Sequence, residues 1–65
     1  MSQIDHWSIK VYSSGREKET IRNINTVSKD TIMQVFEREG IKAQAMPYDS
    51  SGSFINGESE SVNWR

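Results

Sequence analysis

Asp5 and His6 stand side by side, the one place in this 65-residue chain where a carboxylate could orient an imidazole. Nucleophilic catalysis asks for more, namely a hydroxyl or thiol within reach of that ring. The chain offers ten Ser in turn-like contexts, no Cys and no G-x-S-x-G elbow. If the segment is a strand, Asp5 and His6 point to opposite faces, and the pair is separated. Other signatures of chemistry are missing in similar ways. The four Gly at 15, 40, 52 and 57 each suit a turn or a helix cap, so none opens a phosphate-cradling loop. Asp49-Ser50-Ser51-Gly52 supplies one carboxylate where a calcium loop needs several, and it reads as an Asx turn. One His without any Cys leaves no zinc set. Glu58 and Glu60 share a face if their segment is a strand, and a solvated charged edge is their plainest role. The residues point to no reaction, no metal and no cofactor, so a non-enzymatic protein is expected.

Binding is the class that remains. Trp7, Lys10, Tyr12, Arg16 and Arg22 cluster in the first third of the chain, and Tyr48 and Trp64 follow. Trp, Tyr and Arg are the residue types that anchor protein interfaces, so these seven are the candidate binding residues. Aromatic rings set among basic residues on a sheet also make a stacking platform for single-stranded nucleic acid. A net charge of -1, the nearby Glu17 and Glu19, and the lack of an RNA-recognition consensus weigh against that alternative. The expected partner is another protein, blocked sterically by the bound chain. A small ligand held in a pocket between subunits is a third reading.

Composition explains why a surface should be left over. Hydrophobic residues make up 34% of the chain, Leu is absent, and Val, Ile and Phe together number 13. A domain this small buries only about 60% of the surface its unfolded chain exposes. Disulfides or metal usually compensate, and neither is on offer, so association into a homo-oligomer, most simply a dimer, is expected. No charged region followed by an apolar run opens the sequence, which suits a cytoplasmic protein and gives no membrane segment. A small chain without catalytic groups fits an inhibitor or modulator of the kind that viral and mobile-element genomes encode.

The elements that position these residues follow from periodicity. Residues 4–12 alternate Trp7, Ile9 and Val11 with Ser8, Lys10 and Tyr12, the period of a strand with one buried face. Ser13-Ser14-Gly15-Arg16 is a turn, with Gly15 free to take positive φ. Residues 17–26 carry both a helical spacing and poor helix formers; a second strand closing a hairpin is preferred. Ile21 and Ile24 have opposite parity, so that strand needs a bulge or an early end. A helix over residues 29–39 follows, with Ser28 as N-cap, Asp30 in its first turn and a Val27–Ile32 staple. Gly40 and Ile41 complete a Schellman motif against Phe36. Ile32, Val35 and Phe36 then form the packing face, with Met33 beside them.

Residues 41–46 predict a third strand, with Ala43 and Ala45 leaving room opposite, and Pro47 ends it or sits at an edge. Asn56-Gly57 is a hairpin signal, which places residues 53–55 and 58–64 side by side or else makes residues 56–65 a flexible or partner-ordered tail. The fold class expected is α+β in a single small domain. Its sheet is antiparallel or mixed, β-β-α-β plus a short C-terminal strand or hairpin, with one helix on one face. If folding depends on a second subunit, the thermal midpoint rises with protein concentration. A midpoint that stays constant, together with a monomeric mass, rejects self-association.

Overall fold

The computed structural model describes residues 3–14 and 16–64. Its elements are β1 (His6–Ser13), β2 (Arg16–Ile24), α1 (Thr26–Glu39), β3 (Lys42–Tyr48) and β4 (Glu60–Val62). They form an α+β fold in which a four-stranded antiparallel sheet, ordered β2-β1-β3-β4, carries the helix on one face. The segment of mixed signals is a strand. Its parity conflict is resolved as a bulge: Trp7 faces Ile24 and Ile9 faces Ile21, so three steps on β2 match two on β1. Asn23, inside that bulge, takes φ 58°, and both Ile21 and Ile24 reach the core. A second irregularity lies between Val11 and Tyr12. In the turn between these strands Ser14 takes φ 53°, while Gly15 lies outside the described residues.

Pro47 neither ends β3 nor lies on an edge strand, because β3 continues to Tyr48 between β1 and β4. The imide is tolerated for a local reason. Pro47 O accepts from Ile55 N–H at 3.0 Å, so its backbone polar edge faces away from β1, past the end of the Ala43–Ala45 pairing with β4. A missing N–H there breaks no ladder bond. The C-terminal region also differs from a 53–55/58–64 hairpin. Phe54 bridges Tyr48, and β4 pairs with β3 rather than with the 53–55 segment. Asn56-Gly57 is a turn within that longer connection, with Gly57 at φ 84°.

The helix starts earlier than Ser28. Asn25 is the N-cap, and its side-chain oxygen accepts from Ser28 N–H at 2.7 Å. Ser28 is thus the capped third residue, and Asp30 falls beyond the first turn, which holds no acid. With this start, Val27 is 75% exposed and makes no staple. The other end is as expected. Gly40 takes φ 74°, Ile41 N–H donates to Phe36 O at 2.9 Å and Gly40 N–H to Glu37 O at 3.3 Å, the bond pair of a Schellman motif. Asn63, just after β4, adds its amide to Phe36 O and Ile41 O at 3.0 and 2.7 Å. Carbonyls left over by the helix end therefore fasten the last strand.

Trp7, Ile9, Met33, Ala43 and Ala45 are the buried apolar core, with Ile4, Val11, Ile21, Ile24, Ile32, Phe36 and Val62 around it. Met33 is the central helix residue, whereas Val35 is turned outward. The sixth contributor is unexpected: Lys29 is 2% exposed. Its ammonium lies 4.2 Å from the centroid of the Trp7 ring and donates to Glu60 at 2.8 Å and to Asp30. Trp7 is fixed in turn, since its indole N–H donates to Thr26 Oγ1 at 3.0 Å. Burial alone would lower the Lys29 pKa, but the two carboxylates outweigh it and hold the pKa above 10.5.

Two outcomes follow. Asn25→Ala is expected to cost about 0.5 to 2 kcal/mol in denaturant unfolding, with Ser28→Ala costing less because its contribution to the cap is a backbone N–H. Lys29, raised on folding, contributes stability in full below its unfolded pKa and loses it as pH climbs through the higher folded value. The unfolding midpoint should therefore fall at strongly alkaline pH, and a Lys29→Met variant should show a smaller fall.

Candidate functional site: the open face of the sheet

Pleating sorts the side chains of β1 and β3 onto two faces. Trp7, Ile9, Ala43, Ala45 and Pro47 are buried beneath the helix, while His6, Ser8, Lys10, Tyr12, Lys42, Gln44, Met46 and Tyr48 alternate with them. From β2, Thr20 stands opposite Lys10 and Glu17 opposite Tyr12. The only helix covers the far face, so this second face has no layer over it among the described residues. Alternation makes both facts one: the small, apolar residues that let α1 approach force the larger, polar ones outward.

Two aromatic groups occupy opposite ends of the open face. At one end Tyr48 lies between His6, stacked at 5.5 Å with an interplanar angle of 7°, and Phe54, edge-on at 5.9 Å. At the other, Trp64 meets Tyr12 at 4.9 Å and 72°, donates its indole N–H to Ala43 O at 2.9 Å, and carries the Lys42 ammonium 5.0 Å over its ring. Phe54 and Trp64 remain 42% and 43% exposed, so each group offers apolar surface to a partner. Between them runs a shallow trough of about 540 Å³, whose lining includes Ser8, Lys10, Thr20, Arg22 and Met46.

The electrostatics of this face differ from those of the chain. It bears Lys10, Arg22 and Lys42 against one carboxylate, Glu17, which lies 3.7 Å from Lys10 and accepts from Thr20 Oγ1 at 2.9 Å. Arg22 is exposed and makes no ion pair among the described residues. At the rim, the Asp49 loop folds as the expected Asx turn: Oδ1 accepts from Ser51 Oγ at 2.6 Å, Ser51 N–H at 2.9 Å and Ser53 N–H at 3.0 Å. These donors, led by the Ser51 hydroxyl, hold the Asp49 carboxyl below the ordinary aspartate value.

Of the seven residues picked out by type, Lys10, Tyr12, Arg22, Tyr48 and Trp64 come together on or beside this face. Trp7 does not, being the core residue under Lys29. Arg16 pairs with Ser13 one position from Glu17, which directs it away from the trough. Asp5 and His6 are brought together, contrary to the opposite-faces expectation, because β1 begins at His6 and Asp5 is free to turn its carboxylate onto Nδ1 at 2.9 Å. Among the described residues the His6 ring hydrogen-bonds to the Asp5 carboxylate and to no hydroxyl. Glu60 lies half-exposed on the edge strand β4, and in addition it reaches across to Lys29. His6, Lys42 and Phe54 belong to the face without having been singled out as binding residues, and Met46, an interface type by its chemistry, joins them there. Small residues at 43, 45 and 47 were the available signal for Lys42 and Met46, while nothing in a Ser/Gly-rich loop marks Phe54.

Among the described residues no three His, Cys, Asp or Glu side chains are grouped to hold a metal ion, and no helix is long and apolar enough to cross a membrane. Compared with protein-family models, curated proteins and solved structures, the chain matches none of them.

Proposed function

We propose that this chain is a non-enzymatic protein-binding module that acts sterically, as an inhibitor or modulator, by laying the open face of its sheet on a partner protein. One observation carries the reading: an uncovered face with exposed aromatic groups at both ends and Met46 between them. Such residues supply most of the energy at protein interfaces, where flat sheet surfaces fit other folded surfaces.

Ring geometry favours protein over single-stranded nucleic acid. A base needs a free π face on which to stack. Here His6 lies parallel to Tyr48, Phe54 closes on the same ring edge-on, and Lys42 sits over Trp64. The rings are grouped as packed clusters from which Phe54 and Trp64 remain partly exposed, which suits apolar contact with a protein surface.

Self-association is assigned to a different region. The helix packs mainly on β3 and β1, and beside β2 a groove of about 560 Å³ runs between Val11, Ile21, Phe36 and Ile41, with Lys18 and Glu19 on its rim. Across a two-fold axis that adjacent pair is self-complementary, Lys18 of one copy meeting Glu19 of the other. The outer edge of β2 is a poorer site for strand addition, being charged and irregular.

The decisive experiment compares two surfaces. A protein retained from native lysate by the immobilised chain should bind far more weakly to Tyr48→Ala and Trp64→Ala variants, at about 2 kcal/mol for each true anchor. Val27→Ala, on the exposed side of the helix, should leave binding unchanged. Circular dichroism establishes that each variant is folded. Equal binding by the folded Tyr48 and Trp64 variants would refute the assignment to this face.

A further inference from the structure

We infer that the partner surface received by the open face is acidic, its carboxylates meeting Arg22 and Lys10 in the trough while apolar side chains meet the aromatic groups at either end. This rests on the protein-binding reading above and adds the chemistry of what is bound. The first argument is segregation of charge. A chain of net charge -1 presents three cations and one carboxylate on this face, so the remainder of the molecule is acidic. Asp30 and Glu60 are spent on Lys29 on the helix side, and Glu19 stands opposite Val11 on the far face from Lys10. Asp5 and Asp49 stand at the rim, Asp5 engaging His6 and Asp49 the Ser51 and Ser53 donors of its own loop, so neither carboxylate is directed at Arg22.

The second argument is which cations are free. Lys42 is held over Trp64 and Lys10 shares Glu17, but Arg22 lines the trough with no ion partner among the described residues. A guanidinium presents a fork of donors that fits a carboxylate in bidentate fashion. Ser8 lines the same trough and adds a hydroxyl donor, whereas the Thr20 proton is already given to Glu17.

The third argument removes the commonest alternative occupant. In a two-fold contact of this face with itself, three cations and one carboxylate of one copy would meet the same positive excess on the other. Like charges brought together at an interface oppose association, so a second copy is the wrong occupant for this face. A surface of opposite charge is attracted, and its approach is steered from a distance.

Poly-L-glutamate is the probe, followed by amide chemical shifts of the full chain at low salt. Shifts are expected at Lys10, Thr20, Arg22 and Met46, with affinity falling as salt is added. Arg22→Glu should weaken binding by about tenfold or more, Arg22→Lys only partly, and Glu17→Gln should strengthen it. Oligothymidylate and poly-L-lysine are titrated under the same conditions. Absence of shifts on the face, equal binding of poly-L-lysine there, or tighter binding of oligothymidylate at matched salt would each overturn the inference. If poly-L-glutamate fails while the lysate partner still depends on Tyr48 and Trp64, the acidic chemistry is wrong and the protein-binding reading survives. Loss of that dependence removes the protein-binding reading itself.

Discussion

A buried ammonium holds this molecule together. Lys29 lies against the Trp7 ring and bonds to Asp30 and Glu60, so one side chain joins the helix, the first strand and the last strand. Removing such a charge from water is costly unless carboxylates accompany it. Both partners do so from half-exposed positions, where they keep part of their own hydration. The arrangement thus neutralises the lysine without burying three charges. It also ties β4, a strand of three residues, to the helix, with Asn63 and Trp64 adding bonds to Phe36, Ile41 and Ala43.

The rest of the architecture follows from how little apolar volume is available. Five buried apolar residues form the core cluster, two of them Ala, so one helix lies mainly on β1 and β3 and leaves the opposite face of the sheet bare. Lys29 fills with its methylene stem a place that a larger domain would give to Leu or Ile. The uncovered surfaces are the price of that economy, and they differ in kind. One is a basic sheet face with aromatic groups at its ends, the surface proposed above to meet a foreign protein. The other is an apolar groove beside β2 with both signs of charge on its rim, proposed above to meet a second copy.

Much of the fold was legible because local rules dominate there. Alternation about Trp7 and Ile9 marked β1, opposite parity at Ile21 and Ile24 marked a bulge, and Gly40 with Ile41 marked the helix end. The helix start was misread because Asn25 and Ser28 are both good caps, and Asn25 won since its oxygen reaches the Ser28 N–H. Pro47 was misread for want of a neighbour: whether its missing N–H matters depends on which side of β3 is paired at that point. Among the site residues, Tyr12, Tyr48 and Trp64 were identifiable by type, while Phe54 was not, since its place beside Tyr48 depends on a loop returning to β3.

By itself the sequence determined the α+β class, the order of elements and the thinness of the core, since composition and periodicity act through near neighbours along the chain. It also determined that catalytic and metal-binding signatures are lacking in its motifs. Only the tertiary structure decided that Trp7 belongs under Lys29 rather than on a binding face, that Glu60 is an ion-pair partner 31 residues from it, and that cations gather on the uncovered face. Those outcomes depend on strand order and register, which bring distant residues within a few ångströms, and no spacing along the chain encodes them.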